Sequence, residues 1–356
     1  MARCLSFTGS ADFLYRSFFS YSGLRSVKTD FRDGTVMHCW VPKTHKYIKP
    51  NLVLVHGFGA NAMWQYGDLL RHLMPRFNIY VPDLLFFGES TTKRPERTEA
   101  FQAQCVMRLM VSHGVHRMSI VGISYGGFVT YSMAAQYPEA VQKVVLCCTG
   151  VCLEEKDMRD GLFEVADLDE VASILMPQTP DKLRELIQFA FARPAVVKGL
   201  PAYFLSDYIQ VFCMDHLKQK KELIQALIND RQCSKIPKIE QPTLIIWGEM
   251  DRIFPLPLAH RLKTHIGDKA DLVVIKNAGH AVNVEKPKDF AKHLKSFLIE
   301  SENLSHRPRT LSLLPYIYCN YTNNDDDEYV VDDDNQDSSH KFKSEQNVSN
   351  NVKQVN

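Results

Sequence analysis

The chain has 356 residues, of which 45 % are apolar, and a formal net charge of +1. A chain of this size can bury one large core or two modest ones. A charge so close to neutral argues against a nucleic-acid partner and against binding to an anionic membrane surface.

The N-terminal segment, residues 1–24, is rich in aromatic residues and serine. No signal peptide is recognisable because Asp12 and Arg16 interrupt its apolar stretch. No apolar run in the chain reaches the roughly 20 residues that cross a bilayer. We predict an amphipathic helix that lies on the domain or on a membrane surface, with an organelle transit peptide as the alternative. The expected location is cytoplasmic, and peripheral membrane contact stays open.

Residues 25–150 alternate short β-branched runs with stretches of helical periodicity. A turn signal at 32–35 (Arg-Asp-Gly-Thr) predicts a hairpin between strands at 27–31 and 36–41. Further strands are predicted at 52–55, 77–81, 119–122 and 141–148, with helices at 61–74, 98–113 and 125–136. Strands separated by helices imply right-handed crossovers and a mainly parallel sheet.

The rest of the chain divides into three parts. Residues 151–240 are helical in pattern, carry many large apolar side chains and have the size of a lid over the strand ends. Residues 241–300 return to strand–helix alternation and complete the core begun at 25–150. The tail, 301–356, carries ten acidic and five basic residues and few large apolar ones. It cannot offset its ordering entropy, so we predict disorder from about residue 320.

The nine cysteines are odd in number and irregular in spacing. Cys147, Cys148 and Cys152 crowd one segment without metal-ligand spacing or a nearby histidine. The pattern predicts free thiols in a reducing compartment and no metal site.

The run at 122–127, Gly-Ile-Ser-Tyr-Gly-Gly, lies between an apolar strand and a helix. A serine hydroxyl becomes a useful nucleophile when a base removes its proton and a sharp strand-to-helix turn lifts it clear of the backbone. Gly122 and Gly126, two residues before and after Ser124, would relieve the crowding in such a turn. This context predicts Ser124 as a nucleophile, and an ordinary glycine-rich turn is the alternative.

A second glycine-rich loop, His-Gly-Phe-Gly at 56–59, follows an earlier buried strand. Attack on an ester carbonyl creates an oxyanion that needs fixed donors, and a glycine such as Gly57 lets the backbone approach closely. The backbone N–H groups of Phe58 and Tyr125 are the predicted donors. His56 is expected to hold this loop rather than to act as a base.

Asp251 and His280 follow predicted strands at 243–247 and 272–275. Open α/β sheets form their sites at the carboxyl ends of strands. In the order Ser124, Asp251, His280 the chain supplies a nucleophile, an acid and a base. Glu249 competes with Asp251 for the role of the acid, and we prefer Asp251 because it fits the family pattern described next.

These motifs resemble the α/β-hydrolase superfamily over about residues 25–300, with further matches at Pro82-Asp83, at 88–90 (Gly-Glu-Ser) and at Pro255. The resemblance implies a mostly parallel eight-stranded sheet with helices on both faces, a helical lid at 151–240 inserted after strand 6, and no cofactor. It assigns the acid to Asp251, the base to His280 and the oxyanion donors to Phe58 and Tyr125. It also implies that Asp83 braces the loops around the site.

Within the superfamily, the chain is similar to plant epoxide hydrolase-like proteins and to monoacylglycerol lipase-like esterases. Epoxide hydrolases of this fold attack with a carboxylate, whereas this chain has Ser124, and a serine suits a carbonyl carbon. We therefore expect a monomeric serine hydrolase that cleaves a lipophilic carboxylic ester, such as a monoacylglycerol, through an acyl-enzyme. Two alternatives stay open: hydrolysis of a C–C bond or thioester by the same triad, and a small-molecule receptor with slow or no turnover.

One departure from the family pattern lies in the loop after Asp83. Phe86 and Phe87 are bulky where relatives often carry a second glycine. This difference predicts a narrower pocket or an altered loop, without loss of a catalytic group.

Overall fold

The computed structural model describes residues 6–59, 61–165, 167–194 and 199–300. The acidic tail for which we predict disorder lies outside the described residues. Across the described part of the chain, nine strands join in one sheet. The strands are β1 (Leu24–Asp30), β2 (Thr35–Pro42), β3 (Asn51–Val55), β4 (Asn78–Pro82), β5 (Thr91–Thr92), β6 (Met118–Ile123), β7 (Val141–Cys147), β8 (Thr243–Gly248) and β9 (Ala270–Ile275).

The order of strands across the sheet is β1-β2-β4-β3-β6-β7-β8-β9, and β5 pairs with β2. Strands β1, β2 and β5 pair antiparallel, and all neighbours from β4 to β9 run parallel. The predicted hairpin is present as β1 and β2. The prediction of a mostly parallel eight-stranded sheet is confirmed, with the two-residue β5 as an addition.

Helices connect the parallel strands and flank the sheet. They are α1 (Phe7–Tyr21), α2 (Ala62–Leu73), α3 (Glu99–Ser112), α4 (Tyr125–Gln136), α5 (Glu155–Arg159), α6 (Leu168–Leu175), α7 (Pro180–Ala190), α8 (Ala202–Phe212), α9 (Leu217–Ile228), α10 (Pro257–Ile266), α11 (Val282–Glu285) and α12 (Pro287–Lys295). All six residues of β6 are buried. Because successive side chains of a strand point to opposite faces, this burial means that both faces of the sheet are covered.

The helices begin where the sequence supplies capping side chains. Asn61 accepts a hydrogen bond from the N–H of Trp64 at the start of α2, and Thr98 accepts one from Phe101 at the start of α3. Such caps satisfy backbone donors that have no partner inside the helix. Helix α4 has no capping side chain and begins directly after Ser124.

Helix α1 lies against α2 and α8. Its Phe19 is fully buried, and the indole Nε1 of Trp64 donates to Asp12 Oδ1 at 2.9 Å. The N–H of Thr8 donates to Asp207 Oδ2 at 2.7 Å, which ties the start of α1 to α8. None of the helices described here is long and apolar enough to cross a membrane.

Helices α5 to α9 lie between β7 and β8, within the segment for which we predict a lid. A small apolar cluster of their own holds α7 and α8 together, formed by Leu183, Leu205, Ile209 and Cys213. Leu183 and Leu205 of this cluster also face the carboxyl edge of the sheet, together with other side chains of α6, α7 and α8.

Candidate active site

Ser124 occupies a strained turn between β6 and α4. Its backbone has φ 55° and ψ −122°, in the left-handed region that side-chain-bearing residues rarely adopt. A Cβ on Gly126 would collide with the carbonyl groups of Val55 and His56 in the neighbouring strand and loop. The two glycines expected around Ser124 therefore meet a real steric demand, and the turn holds Ser124 at the carboxyl edge of the sheet.

Asp251 and His280 form a hydrogen-bonded pair at the same edge. His280 Nδ1 lies 3.0 Å from Asp251 Oδ2, and the Asp251 side chain is fully buried. Asp251 Oδ1 accepts the N–H groups of Ile253 and Phe254, both at 2.9 Å. These bonds leave Oδ2 to orient the imidazole, which fixes the proton on Nδ1 and directs Nε2 as an acceptor.

Glu249, the competing acid, faces elsewhere. Its carboxylate accepts the N–H of Asn277 at 3.0 Å, and the residue is exposed. Asp251 is buried and contacts His280, so the geometry favours Asp251 over Glu249 as the acid.

His56 bonds within its own loop, at 56–59, and to the loop that follows β4. Its Nδ1 lies 2.7 Å from the carbonyl of Gly57, and its Nε2 accepts the N–H of Leu84 at 2.9 Å. Burial lowers the pKa of His56, so the ring is neutral with its proton on Nδ1. The imidazole thereby joins this loop to the one that follows β4.

The two proposed oxyanion donors are available to donate hydrogen bonds to a ligand. Tyr125 is the first residue of α4, where no intrahelical acceptor exists for its N–H. Within the described ranges, neither its N–H nor that of Phe58 donates to another protein group. The rings of Phe58 and Tyr125 pack edge to face with centroids 5.1 Å apart. The two loops that carry these N–H groups therefore lie side by side.

Asp83 lies fully buried beneath these loops. Its Oδ2 lies 2.8 Å from His38 Nδ1, and its Oδ1 accepts the N–H of Ala62 at the start of α2. Burial alone would raise the pKa of Asp83, but the hydrogen bond from His38 and the neighbouring imidazoles outweigh it, and the pKa is lowered. The carboxylate thus joins β2, the loop after β4 and α2.

A cavity of about 600 Å³ opens at Ser124 and His280. Its wall is mainly apolar, and Leu175, Leu183, Ile187 and Leu205 from α6, α7 and α8 supply much of it. A volume of this size accommodates a small-molecule ligand. The apolar wall favours a hydrocarbon portion of such a ligand over a charged one.

Three side chains at the site were not identified from the sequence. Gln65 Oε1 accepts the N–H of Gly57 at 2.7 Å, and the Tyr208 hydroxyl donates to the carbonyl of Gly59. Glu285 accepts the N–H of Gly279, directly before His280, at 2.6 Å. Each lies outside the recognisable motifs, so no local signal in the sequence marks it.

Cys148 lies beside the acid–base pair. Its sulfur, an Asp251 carboxylate oxygen and a His280 ring nitrogen lie within 4.8 Å of one another. These atoms could hold a metal, but the carboxylate and imidazole already bond each other. The arrangement suits a nucleophile, an acid-oriented base and oxyanion donors that act on a carbonyl compound.

Comparison with known proteins agrees with this geometry. A family model described as alpha/beta hydrolase fold matches residues 50–287. Monoacylglycerol lipase ABHD6 of Mus musculus is 26% identical over 274 residues, which cover 73% of this chain and 78% of that protein. Lipase 3 of a Moraxella species is 27% identical over 252 residues, which cover 69% of this chain and 76% of that lipase. The crystal structure of a membrane phospholipase A, described as a bacterial virulence factor, superimposes with a TM-score of 0.65 at 24% identity, over 83% of this chain and 91% of that one.

The fold and the arrangement of side chains at its edge define a hydrolase. The chain belongs to the alpha/beta hydrolase fold family, whose model matches two thirds of its length. It is an ester hydrolase of that fold.

Proposed function

We propose that the chain is a serine esterase that cleaves a lipophilic carboxylic ester, of the monoacylglycerol type, through an acyl-enzyme on Ser124. The observation that carries this proposal is that Ser124 and His280 line one apolar cavity, and that Asp251 is hydrogen-bonded to Nδ1 of the His280 imidazole. Two of the relatives reported above are named as lipases, which supports the same substrate class.

The proposed reaction has two halves. His280 Nε2 takes the proton of Ser124 as its Oγ attacks the ester carbonyl, and Asp251 stabilises the imidazolium that forms. The N–H groups of Phe58 and Tyr125 stabilise the oxyanion. His280 then protonates the leaving alcohol. In the second half it activates water to release the acid from Ser124.

The helices α6 to α8 act in this proposal as a lid that binds the acyl chain. Leu183 and Leu205 face the cavity, and Tyr208 links α8 to the loop that carries Phe58. Apolar groups on these helices gain about 25 cal/mol for each Å² that a hydrocarbon chain removes from water. The substrate is therefore selected by chain length more than by charge.

The test is hydrolysis of p-nitrophenyl esters of increasing acyl length by the wild type and by Ser124→Ala. We expect turnover of roughly 1 s⁻¹ or more for the wild type, with an optimum at medium or long chains, and background rates for the variant. A fluorophosphonate should label the wild type at Ser124 and leave the variant unlabelled.

Equal rates for the two proteins would overturn the assignment of Ser124. If the wild type hydrolyses no ester but is labelled by the fluorophosphonate, Ser124 remains the assigned nucleophile and the ester is rejected as the substrate. That outcome would favour the C–C or thioester alternative. An inert, unlabelled wild type that still gains thermal stability from a small lipophilic ligand would favour the receptor.

A further inference from the structure

A cluster of two thiols and an imidazole lies away from the proposed active site. Cys152 follows β7, Cys233 begins a short 3₁₀ helix (Cys233–Lys235) before β8, and His265 lies in the last turn of α10. Their sulfur and ring nitrogen atoms all lie within 4.8 Å of one another. Along the chain, Cys152 has no metal-ligand spacing and no histidine nearby. In the fold, both partners reach Cys152 from distant segments of the chain.

Charged side chains hold the backbone on both sides of this cluster. Arg261, one helical turn before His265 on α10, donates to the carbonyl of Cys152 at 3.1 Å. Glu154 accepts the N–H of Cys233 at 3.1 Å. Because these bonds fix the main chain at each cysteine, the two sulfur atoms are positioned before any ligand binds.

The ligand types and their separation suit zinc. Thiolate and imidazole are the donors that Zn²⁺ prefers, and tetrahedral bonds of about 2.0–2.3 Å place neighbouring donor atoms roughly 3.5–3.8 Å apart. Cys233 Sγ already lies 3.8 Å from His265 Nδ1. Cys152 is 1 % exposed, whereas Cys233 and His265 are half-buried, so an ion can reach the cluster from the Cys233 side.

The charge at the cluster also suits a divalent cation. Two guanidinium groups act on the cluster, and both are paired: Arg231 with the carboxylate of Glu99, and Arg261 with that of Asp157 through both of its terminal nitrogens. Two thiolates and one Zn²⁺ sum to zero, so binding would leave no uncompensated charge in a largely buried site. Among the described residues, the buried Cys105 is a free thiol that belongs to no such group.

We propose that Cys152, Cys233 and His265 form a zinc site with three protein ligands. Both cysteines would lose their protons on binding, and each sulfur would donate an electron pair to the metal. The site joins the two ends of the helical segment 153–232 to α10. It is independent of the proposed esterase activity, since none of its ligands lines the cavity at Ser124.

The test uses Co²⁺ as a spectroscopic substitute for Zn²⁺ on the full chain, kept reduced with a phosphine that does not bind metal. We expect one equivalent of Co²⁺ to produce a thiolate charge-transfer band and tetrahedral d–d bands, which one equivalent of Zn²⁺ removes. Cys152→Ser and Cys233→Ser should each lose or greatly weaken these bands. Cys105→Ser, a buried thiol outside the cluster, should keep them. Circular dichroism establishes that each variant is folded.

Absence of the bands in folded, reduced wild type would overturn the proposal. So would bands that persist in both cluster variants. A Cys152–Cys233 disulfide found by mass spectrometry before reduction, with no metal uptake afterwards, would instead assign the pair to redox chemistry. Zn²⁺ should also raise the melting temperature of the wild type and of Cys105→Ser, but not that of the two cluster variants.

Discussion

The rings of Phe58 and Phe87 pack edge to face, with centroids 5.0 Å apart and planes at 88°. Phe87 also contacts the ring of His56 at 5.1 Å and is 5 % exposed. Phe86 adopts φ 73°, so the loop has an unusual shape, but neither residue lines the cavity at Ser124. Phe87 therefore supports the loop that carries one proposed oxyanion donor, and neither phenylalanine narrows the pocket.

Phe87→Ala should lower both stability and activity. Truncation of a buried phenylalanine costs about 3–5 kcal/mol of unfolding free energy, and here it also removes the support of Phe58. Urea denaturation and ester hydrolysis by the folded fraction measure the two effects. Phe290→Ala, at a fully buried position on α12, is the control. It should lose similar stability and keep its kcat. Equal loss of kcat in the two variants would contradict a specific role for Phe87.

Asp251→Asn should lower kcat by about 10⁴-fold with little effect on folding, because the amide no longer stabilises the imidazolium or selects its tautomer. Steady-state hydrolysis of a p-nitrophenyl ester measures this change. Glu249→Gln is the matched control, since Glu249 bonds Asn277 and not His280. It should retain kcat within about twofold. A large loss in Glu249→Gln with a small one in Asp251→Asn would reverse the assignment of the acid.

Gly57→Ala should reduce activity on the order of 10²-fold. The added methyl would lie 2.8 Å from Ser124 Cβ and 2.9 Å from the carbonyl of Ile123, so the loop or Ser124 must shift. The rate at which a fluorophosphonate labels Ser124 measures this loss of activity. No atom of the described residues lies within 4 Å of a methyl at Gly199, so Gly199→Ala should label at the wild-type rate. A wild-type rate for Gly57→Ala would mean that the contact is not important.

Stability should fall as the pH drops below about 6.5, the ordinary pKa of histidine. Burial lowers the pKa of His56 in the folded chain, so the unfolded chain takes up the proton first and is favoured. The contribution of neutral His56 to the free energy of unfolding is complete above pH 6.5. Below that pH it declines by at most about 1.4 kcal/mol per pH unit. Urea denaturation between pH 5 and 8 measures the slope.

His56→Asn should make that slope shallower, and His116→Asn, at an exposed position, should leave it unchanged. An identical pH dependence for wild type and His56→Asn would show that other groups cause the slope. His113 and His265, whose pKa values burial also lowers, are the next candidates.

Sequence patterns predicted eight of the nine described strands because each of those eight has a local signal in the sequence. The apolar run before Ser124 and the turn between β1 and β2 are short-range features, and they place Ser124, Asp251 and His280 at one edge once the strands are parallel. Contacts such as Tyr208 with Gly59, 149 residues apart, depend on how α8 lies over the sheet. Periodicity shows that α8 has an apolar face, but it does not say which loop that face meets.

Helix α1 forms part of the wall of the cavity at Ser124. Phe7 and Thr8 line it, and the Phe7 ring packs edge to face on Phe204 of α8 at 5.4 Å. Substitutions in α1 can therefore change the shape of the proposed acyl site while the sheet and the reacting groups stay unchanged.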